Sequence, residues 1–147
     1  MKRHPALYTL SHDHHQGLIL AQQLKKGAPQ YKGMPSTLEG KKEYALTFYR
    51  SELAKHFQGE EEILFPYVTG KNTELDKLIS EIISEHRRME RLINALENTD
   101  NLESKMDELG WLLEQHIRKE ERELFPAIEE ILTEGQLSEL KTKLNPK

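Results

Sequence analysis

The sequence has no cysteine. This excludes disulfides, thiolate zinc sites, iron–sulfur clusters and a cysteine nucleophile together, so any metal must be held by nitrogen and oxygen. Valine occurs once, at Val68, against 22 leucines, and without β-branched runs there is little from which to build strands. A basic surplus is missing too. With a formal charge of −4 and a pI near 6.0 the chain has no stripe that would track a phosphate backbone, and no nucleic-acid partner is expected. No apolar run approaches the roughly 20 residues of a membrane span. The stretch from Met1 to Leu10 has a basic start but no apolar run before His12 and Asp13, so neither membrane nor signal peptide is expected and the expected compartment is the cytoplasm. A length of 147 residues, 36% hydrophobic and 31% charged, suits one domain over residues 1–147.

What is present is leucine-rich helical sequence with clear punctuation. Ser11 can cap a first helix ending near Lys26-Gly27, and Ser36-Thr37-Leu38-Glu39 has capping-box spacing for a second that runs to about Gly70. Thr73 to Asp76 opens a third helix that fades at Asn98-Thr99-Asp100, and a fourth runs from Leu102 to about Leu132. Thr133-Glu134-Gly135-Gln136 is a further capping box and opens a short closing helix over about 134–144. Four helices with short connections, each with one apolar stripe, predict an all-α, antiparallel up-down-up-down four-helix bundle with a core over about 7–132.

Alternating steps of three and four mark the face each helix turns inward. The four seams read Leu7, Leu10, His14, Gly17, Ala21, Leu24; Leu46, Tyr49, Leu53, His56, Glu60, Ile63, Tyr67; Leu75, Ile79, Ile82, His86, Met89, Ile93, Leu96; and Leu102, Met106, Leu109, Leu113, His116, Glu120, Leu124. Every seam is broken by one histidine, and two carry a glutamate one turn later. An internal repeat reinforces the pattern: His56 to Pro66 and His116 to Pro126 both read H-x3-E-E-x2-L-F-P. The other two helices share an acid-histidine pair, Asp13-His14 and Glu85-His86, each followed by a leucine at the same distance, Leu24 and Leu96. The chain reads as two helical hairpins of one design.

Residues i and i+4 sit on one helix face about 5–6 Å apart, so His56 with Glu60 and His116 with Glu120 can each offer an imidazole and a carboxylate to one centre. Two ionised glutamates in a core cost several kcal/mol each unless paired, and the seams supply no lysine or arginine beside them. Two divalent cations would neutralise the carboxylates and use the imidazoles as neutral ligands. Four histidines and two bridging glutamates fill about eight of the twelve positions of two octahedral ions and leave others open.

The set His14, His56-x3-Glu60, His86 and His116-x3-Glu120, with both L-F-P tails, resembles the hemerythrin HHE cation-binding family from about Leu7 to Ile131. The resemblance implies a four-helix bundle around a non-haem di-iron centre, with His14, His56, His86 and His116 as terminal ligands and Glu60 and Glu120 as bridges. Manganese or zinc would be substitutes. The sequence departs from the oxygen-carrying members at two places. Glu90 stands where they have a second histidine, and is either a seventh ligand or leaves the position to solvent. Their last carboxylate also lies five residues after the fourth-helix histidine, which makes Glu121 a rival to Glu120, although the seam favours Glu120.

Of the other candidates, His12 and His15 flank His14 and are expected to point outward, and His4 precedes a proline. Tyr49 and Tyr67 lie on the second seam and are candidates for donors behind the ligands. The glutamate runs beside Glu60 and Glu120 read as solvated faces, and Pro66 and Pro126 as kinks or ends of their helices. Glu-x-x-His, H-E-x-x-H, P-loop and G-x-S-x-G motifs are absent, which leaves ferritin-like, zincin, nucleotide and hydrolase readings unsupported. The expected function is a di-iron protein that binds or senses oxygen, nitric oxide or peroxide, or handles iron. An enzyme turning over peroxide or donating iron, and a helical interaction module with a vestigial site, are the other two readings.

Overall fold

The structure is a computed structural model that describes residues 3–30 and 32–146. It is all-helical, with no strand among the described residues. A 3-10 turn, Pro5–Leu7, leads into α1, Tyr8–Leu24. Helix α2 covers 38–68, α3 is Thr73–Ala95, α4 covers 102–131 and α5 is Glu134–Leu144. No helix among the described residues is long and apolar enough to cross a membrane.

The punctuation holds in part. Thr37 caps α2 by accepting from the Gly40 N–H, and Thr133 with Gln136 forms the reciprocal box at the start of α5. Asn72, one residue earlier than the sequence suggests, caps α3 by accepting from the Leu75 N–H at 3.0 Å. Ser11 is not a cap. It lies inside α1, because Pro5 starts the chain turning earlier and the His4 Nδ1 accepts from the Ala6 N–H at 2.9 Å.

Neither Pro66 nor Pro126 ends its helix. Each follows a π-helical turn, Glu60–Leu64 in α2 and Glu120–Leu124 in α4, and helix continues to Val68 and Ile131. A proline ring clashes with the carbonyl four residues back in a regular α-helix, and the wider π turn relieves that clash. A third π turn, Tyr49–Leu53, interrupts α2 alone. The inward face keeps its period across the turn at Tyr49–Leu53, where Leu53, His56 and Glu60 stay buried, and advances by a residue at the turn Glu60–Leu64. After the second one α2 buries Leu64 and Val68 completely, where the seam predicted Ile63 and Tyr67.

Two apolar clusters fill the interior. One holds Leu20 and Leu24 of α1, Leu46 and Leu53 of α2, Met89 of α3 and Leu109 of α4. The other holds Leu10, Leu64, Ile82 and Leu124, and is closed by Leu137 and Leu140 of α5. Along α1 and α3 the histidine falls between the stretch in one cluster and the stretch in the other, and along α2 and α4 the glutamate does, with the histidine one turn before it. The polar residues therefore form a layer between two apolar walls, which holds them away from bulk water. Where α1 meets α4 the backbones come close: a Cβ on Gly110 would sit 2.7 Å from the carbonyl oxygen of Ala21. Contacts along these two helices run from His4 with Glu129, through His14 with Glu121 and Gln22 with Glu114, to Lys26 with Asp107.

Candidate metal centre

Six side chains meet in the polar layer. His14 and His56 come from the first hairpin, His86 and His116 from the second, and Glu60 and Glu120 follow their histidines by one helical turn. All six are buried, with Glu60, Glu120 and His86 fully so. Their ligand atoms fall into two quartets, His14-His56-Glu60-Glu120 and His86-His116-Glu60-Glu120, each with atoms within 4.8 Å of one another. The two glutamates belong to both. Within each pair the imidazole rings sit 4.9 Å apart.

The donor atoms point at a common space more than at one another. His56 Nε2 is 3.4 Å from Glu60, His86 Nε2 is 3.1 Å from Glu60 and His116 Nε2 is 3.1 Å from Glu120, yet none of these approaches has hydrogen-bond geometry. Both Glu60 oxygens and Glu120 Oε2 are likewise buried without a hydrogen-bond partner. Only His14 Nε2 makes a true bond inward, to Glu120 Oε1 at 2.7 Å. Buried polar atoms without partners cost about 1–3 kcal/mol each, more when charged, so a convergent set of six needs a reason. A cation is a fit: imidazole nitrogens and carboxylate oxygens are what iron, manganese and zinc accept.

The other ring nitrogen of every histidine is held from outside by a carboxylate. Glu121 meets His14 Nδ1 at 2.6 Å, Asp13 meets His56 at 3.1 Å, Glu61 meets His86 at 2.6 Å and Glu85 meets His116 at 2.8 Å. A carboxylate on Nδ1–H fixes the tautomer with Nε2 free, orients the ring and makes it a better donor. Three of the four are backed by a cation in turn: Glu121 by Arg3, Glu61 by Arg87 and Glu85 by Lys119. Asp13 has no such partner among the described residues.

Electrostatics follows. Burial works against the charged form of His116 and is the largest single influence, but Glu120, Glu85 and Glu60 outweigh it and push the group up to about 9. His14 and His56 are raised in the same way, against burial, by the carboxylates around them. Burial opposes ionisation of Glu120, yet His116, His14 and His56 hold it well below the usual carboxylate range. Without a cation, protons on His14, His56 and His116 are favoured by the carboxylates around them. Two divalent cations would displace those protons.

The other sequence candidates lie elsewhere. His12 and His15 are exposed, as the seam requires. His4 ties the start of the chain to α5 through Glu134 at 3.0 Å. Glu121 is no rival of Glu120, since it stands outside as the partner of His14 Nδ1 and Ser11. Glu90 is not among the converging atoms: it turns away to Arg87 at 2.7 Å and to the Tyr49 hydroxyl. Tyr49 is therefore directed outward too. Tyr67 donates to the Gln136 carbonyl in α5 at 3.2 Å, because the preceding π turn rotates it off the seam. Sequence reasoning missed the outer role of the carboxylates that hold the imidazoles: the acid-histidine pairs with Asp13 and Glu85 read only as a repeat, Glu61 as part of a solvated face and Glu121 as a rival ligand.

The two quartets differ in their packing. Phe57 stacks on His86 at 3.9 Å and Met89 is fully buried beside that pair. On the other side Gly17 takes the place that Met89 has under the repeat, and a small apolar cavity lies against His14, His56 and His116, bounded by Gly17, Phe48, Leu53, Phe57 and Ile117. It is a small void of about 10 Å³, the least that a water-sized molecule needs. A surface groove shares Asp13, Phe48 and Glu52 with it.

The six buried side chains are arranged as two copies of one half-site. A family description, the hemerythrin HHE cation binding domain, matches residues 5–128. The chain belongs to that family. No curated protein and no solved structure matches the chain. Among hemerythrin HHE domains a cation site is the defining property, and the histidine–glutamate clusters supply the donors for one.

Proposed function

We propose that this hemerythrin-like chain is a non-haem di-iron protein of the cytoplasm that binds or senses a small ligand: oxygen, nitric oxide or peroxide. The observation that carries this reading is the set of buried, unpartnered donor atoms sorted into two quartets that share Glu60 and Glu120. His14 and His56 would hold one ion, His86 and His116 the other, and the glutamates would serve both. When bound, two irons supply redox chemistry and open coordination positions for a small molecule. The chain's own residues do the rest. Asp13, Glu61, Glu85 and Glu121 aim the imidazoles, the two apolar walls exclude water, and the cavity beside Gly17 admits one small molecule from the groove at Asp13 and Glu52.

The fold behind this reading is one domain, an antiparallel up-down-up-down bundle. The falling register of α4 against rising α1 supports it, as does the alternating order in which the four long helices visit the two clusters. The fifth histidine of oxygen carriers is absent and Glu90 does not replace it, which favours sensing or iron handling over repeated carriage.

Anaerobic addition of ferrous iron to the metal-free chain tests the proposal. Metal analysis should approach about two irons per chain, because six donors with two shared carboxylates exceed what one ion takes. Saturation at one metal per chain overturns it.

A further inference from the structure

The repeat that relates the two hairpins also relates two grooves, and only one of them is filled. In the first hairpin, the groove between the start of α1 and the end of α2 is occupied by α5. Leu137 and Leu140 are buried there, Tyr67 donates to the Gln136 carbonyl, and Thr9 donates to Asn145 at 2.7 Å. The shift that carries His14 onto His86 carries Ala6 and Thr9 onto Leu78 and Glu81. The shift that carries His56 onto His116 carries Ile63 and Tyr67 onto Glu123 and Ala127. These second-hairpin residues line an open groove of about 730 Å³ between the start of α3 and the end of α4. The chain has no second closing helix to lay into it among the described residues.

The floor of this groove is apolar, with Leu78, Ala127 and Ile131 only half-buried. Its rim is acidic: Glu74, Glu81, Glu123 and Glu130 stand against a single lysine, Lys77. Glu74, Glu123 and Glu130 have no cation within ion-pair distance among the described residues, and Glu81 has only Lys119 at 3.8 Å. Unpaired like charges around an apolar floor repel one another and are relieved by a cationic partner.

We propose that the groove at the α3/α4 end docks a short amphipathic helix of a partner protein, with apolar residues at i, i+3 and i+7 and lysine or arginine on its flanks. Residues Leu137, Leu140 and Leu144 show the apolar spacing that the equivalent groove takes. The rim selects the flanking charge. A helix of the α5 composition would bring Glu134 and Glu139 to the acidic rim, with only Lys141 and Lys143 to offset them, so a helix basic along both flanks fits this groove better than a copy of α5.

The test uses the full metal-loaded chain and a fluorescein-labelled peptide of residues 132–146 that carries Glu134→Lys and Glu139→Lys. Fluorescence anisotropy should show saturable binding below about 100 µM that weakens as salt is raised. Glu123→Lys with Glu130→Lys in the chain should weaken it about tenfold or more, and so should Leu78→Gln, with melting curve and metal content unchanged. A peptide with the same composition and the leucines dispersed should bind at least about tenfold more weakly. Absence of binding at about 1 mM, or equal binding by the dispersed peptide or the groove variants, overturns the proposal. Sedimentation of the chain alone is the second arm. A dimer that Glu123→Lys with Glu130→Lys dissociates would give the groove to a second copy, and the partner helix would be wrong.

Discussion

His14 and His56 face the shared glutamates beside Gly17 and a small cavity that also reaches His116, whereas His86 is stacked on Phe57 and lies one turn from the fully buried Met89. The two pairs have the same ring separation, a carboxylate behind every Nδ1 atom, and in each pair one histidine, His56 or His116, with a glutamate four residues on. What differs is one residue from each neighbouring wall. Met89 and Phe57 fill the space around the second pair, and Gly17 and Ile117 stand at the corresponding places around the first. The outer layer differs in parallel. Glu85, Glu61 and Glu121 each have a cation behind them, while Asp13 has none and sits where the surface groove meets the cavity. A duplicated site thus keeps its donors and diverges in the packing around them; under the proposed function the side with Gly17 would be the one a small ligand reaches.

The sharpest way to break this comparison is to remove a residue both halves need. Glu120→Ala should abolish metal binding at both halves, whereas His56→Ala should leave about half the metal, bound at His86 and His116. Elemental analysis after ferrous loading distinguishes the two. The same Glu120 change should cost the metal-free protein about 3–5 kcal/mol in urea unfolding, since it strands buried imidazolium groups. Equal metal loss in both variants would mean that the halves do not bind independently.

Next in size are the outer carboxylates. Glu85→Gln should weaken metal binding about 10–100-fold by competition with a chelator, and Asp13→Asn should fall at the low end of that range because no cation reinforces it. The reverse order would sever the link between the cation layer and firmness of binding.

Gly17→Met copies the wall of the second half into the first. Nitric oxide binding to the reduced, loaded protein should slow about tenfold at unchanged metal content, with stability lowered by about 1–3 kcal/mol through overpacking. A Cβ at Gly17 already lies 2.8 Å from Ile117 Cδ1, a flexible chain end that can move, so Gly17→Ala is the milder step on the same path. Unchanged ligand kinetics in both variants would place the entry elsewhere.

The smallest effect is a control away from both halves. Glu114, between Lys25 and Arg118, is held down to about 2 by those cations, from an ordinary 4.5. A depressed carboxylate stabilises the fold above its unfolded value and loses that contribution as pH falls from 4.5 toward about 2. Glu114→Gln should flatten that acid limb in pH-dependent unfolding and cost about 1 kcal/mol or less at neutral pH, with metal content unaltered.

The inner ring was legible because its period is the helix period. A side chain at the third or fourth step of an apolar seam must enter the core wherever the helix packs, so His14 was separable from His12 and His15, and Glu120 from Glu121. Tyr67 was misplaced for a related reason. The seam assumes an unbroken period; it survives the π turn at Tyr49–Leu53, where Tyr49 is half-buried with its hydroxyl toward Glu90, and shifts by a residue after the turn at Glu60–Leu64, which carries Tyr67 off it. Glu90 lies one turn from His86 but toward α2, where Arg87 and Tyr49 claim it.

The sequence by itself determined the helices, the buried ring of four histidines and two glutamates, and the two-hairpin repeat, because each is a matter of spacing along one chain. Only the tertiary structure decided which carboxylate stands behind which histidine. Asp13 serves His56 on α2 and not its neighbour His14, and Glu121 on α4 crosses to His14 on α1. Those pairings depend on how far one helix is rotated and shifted against another. The same packing decides that Gly17 opens a cavity where Met89 closes one, a property of the space between helices that no single helix carries.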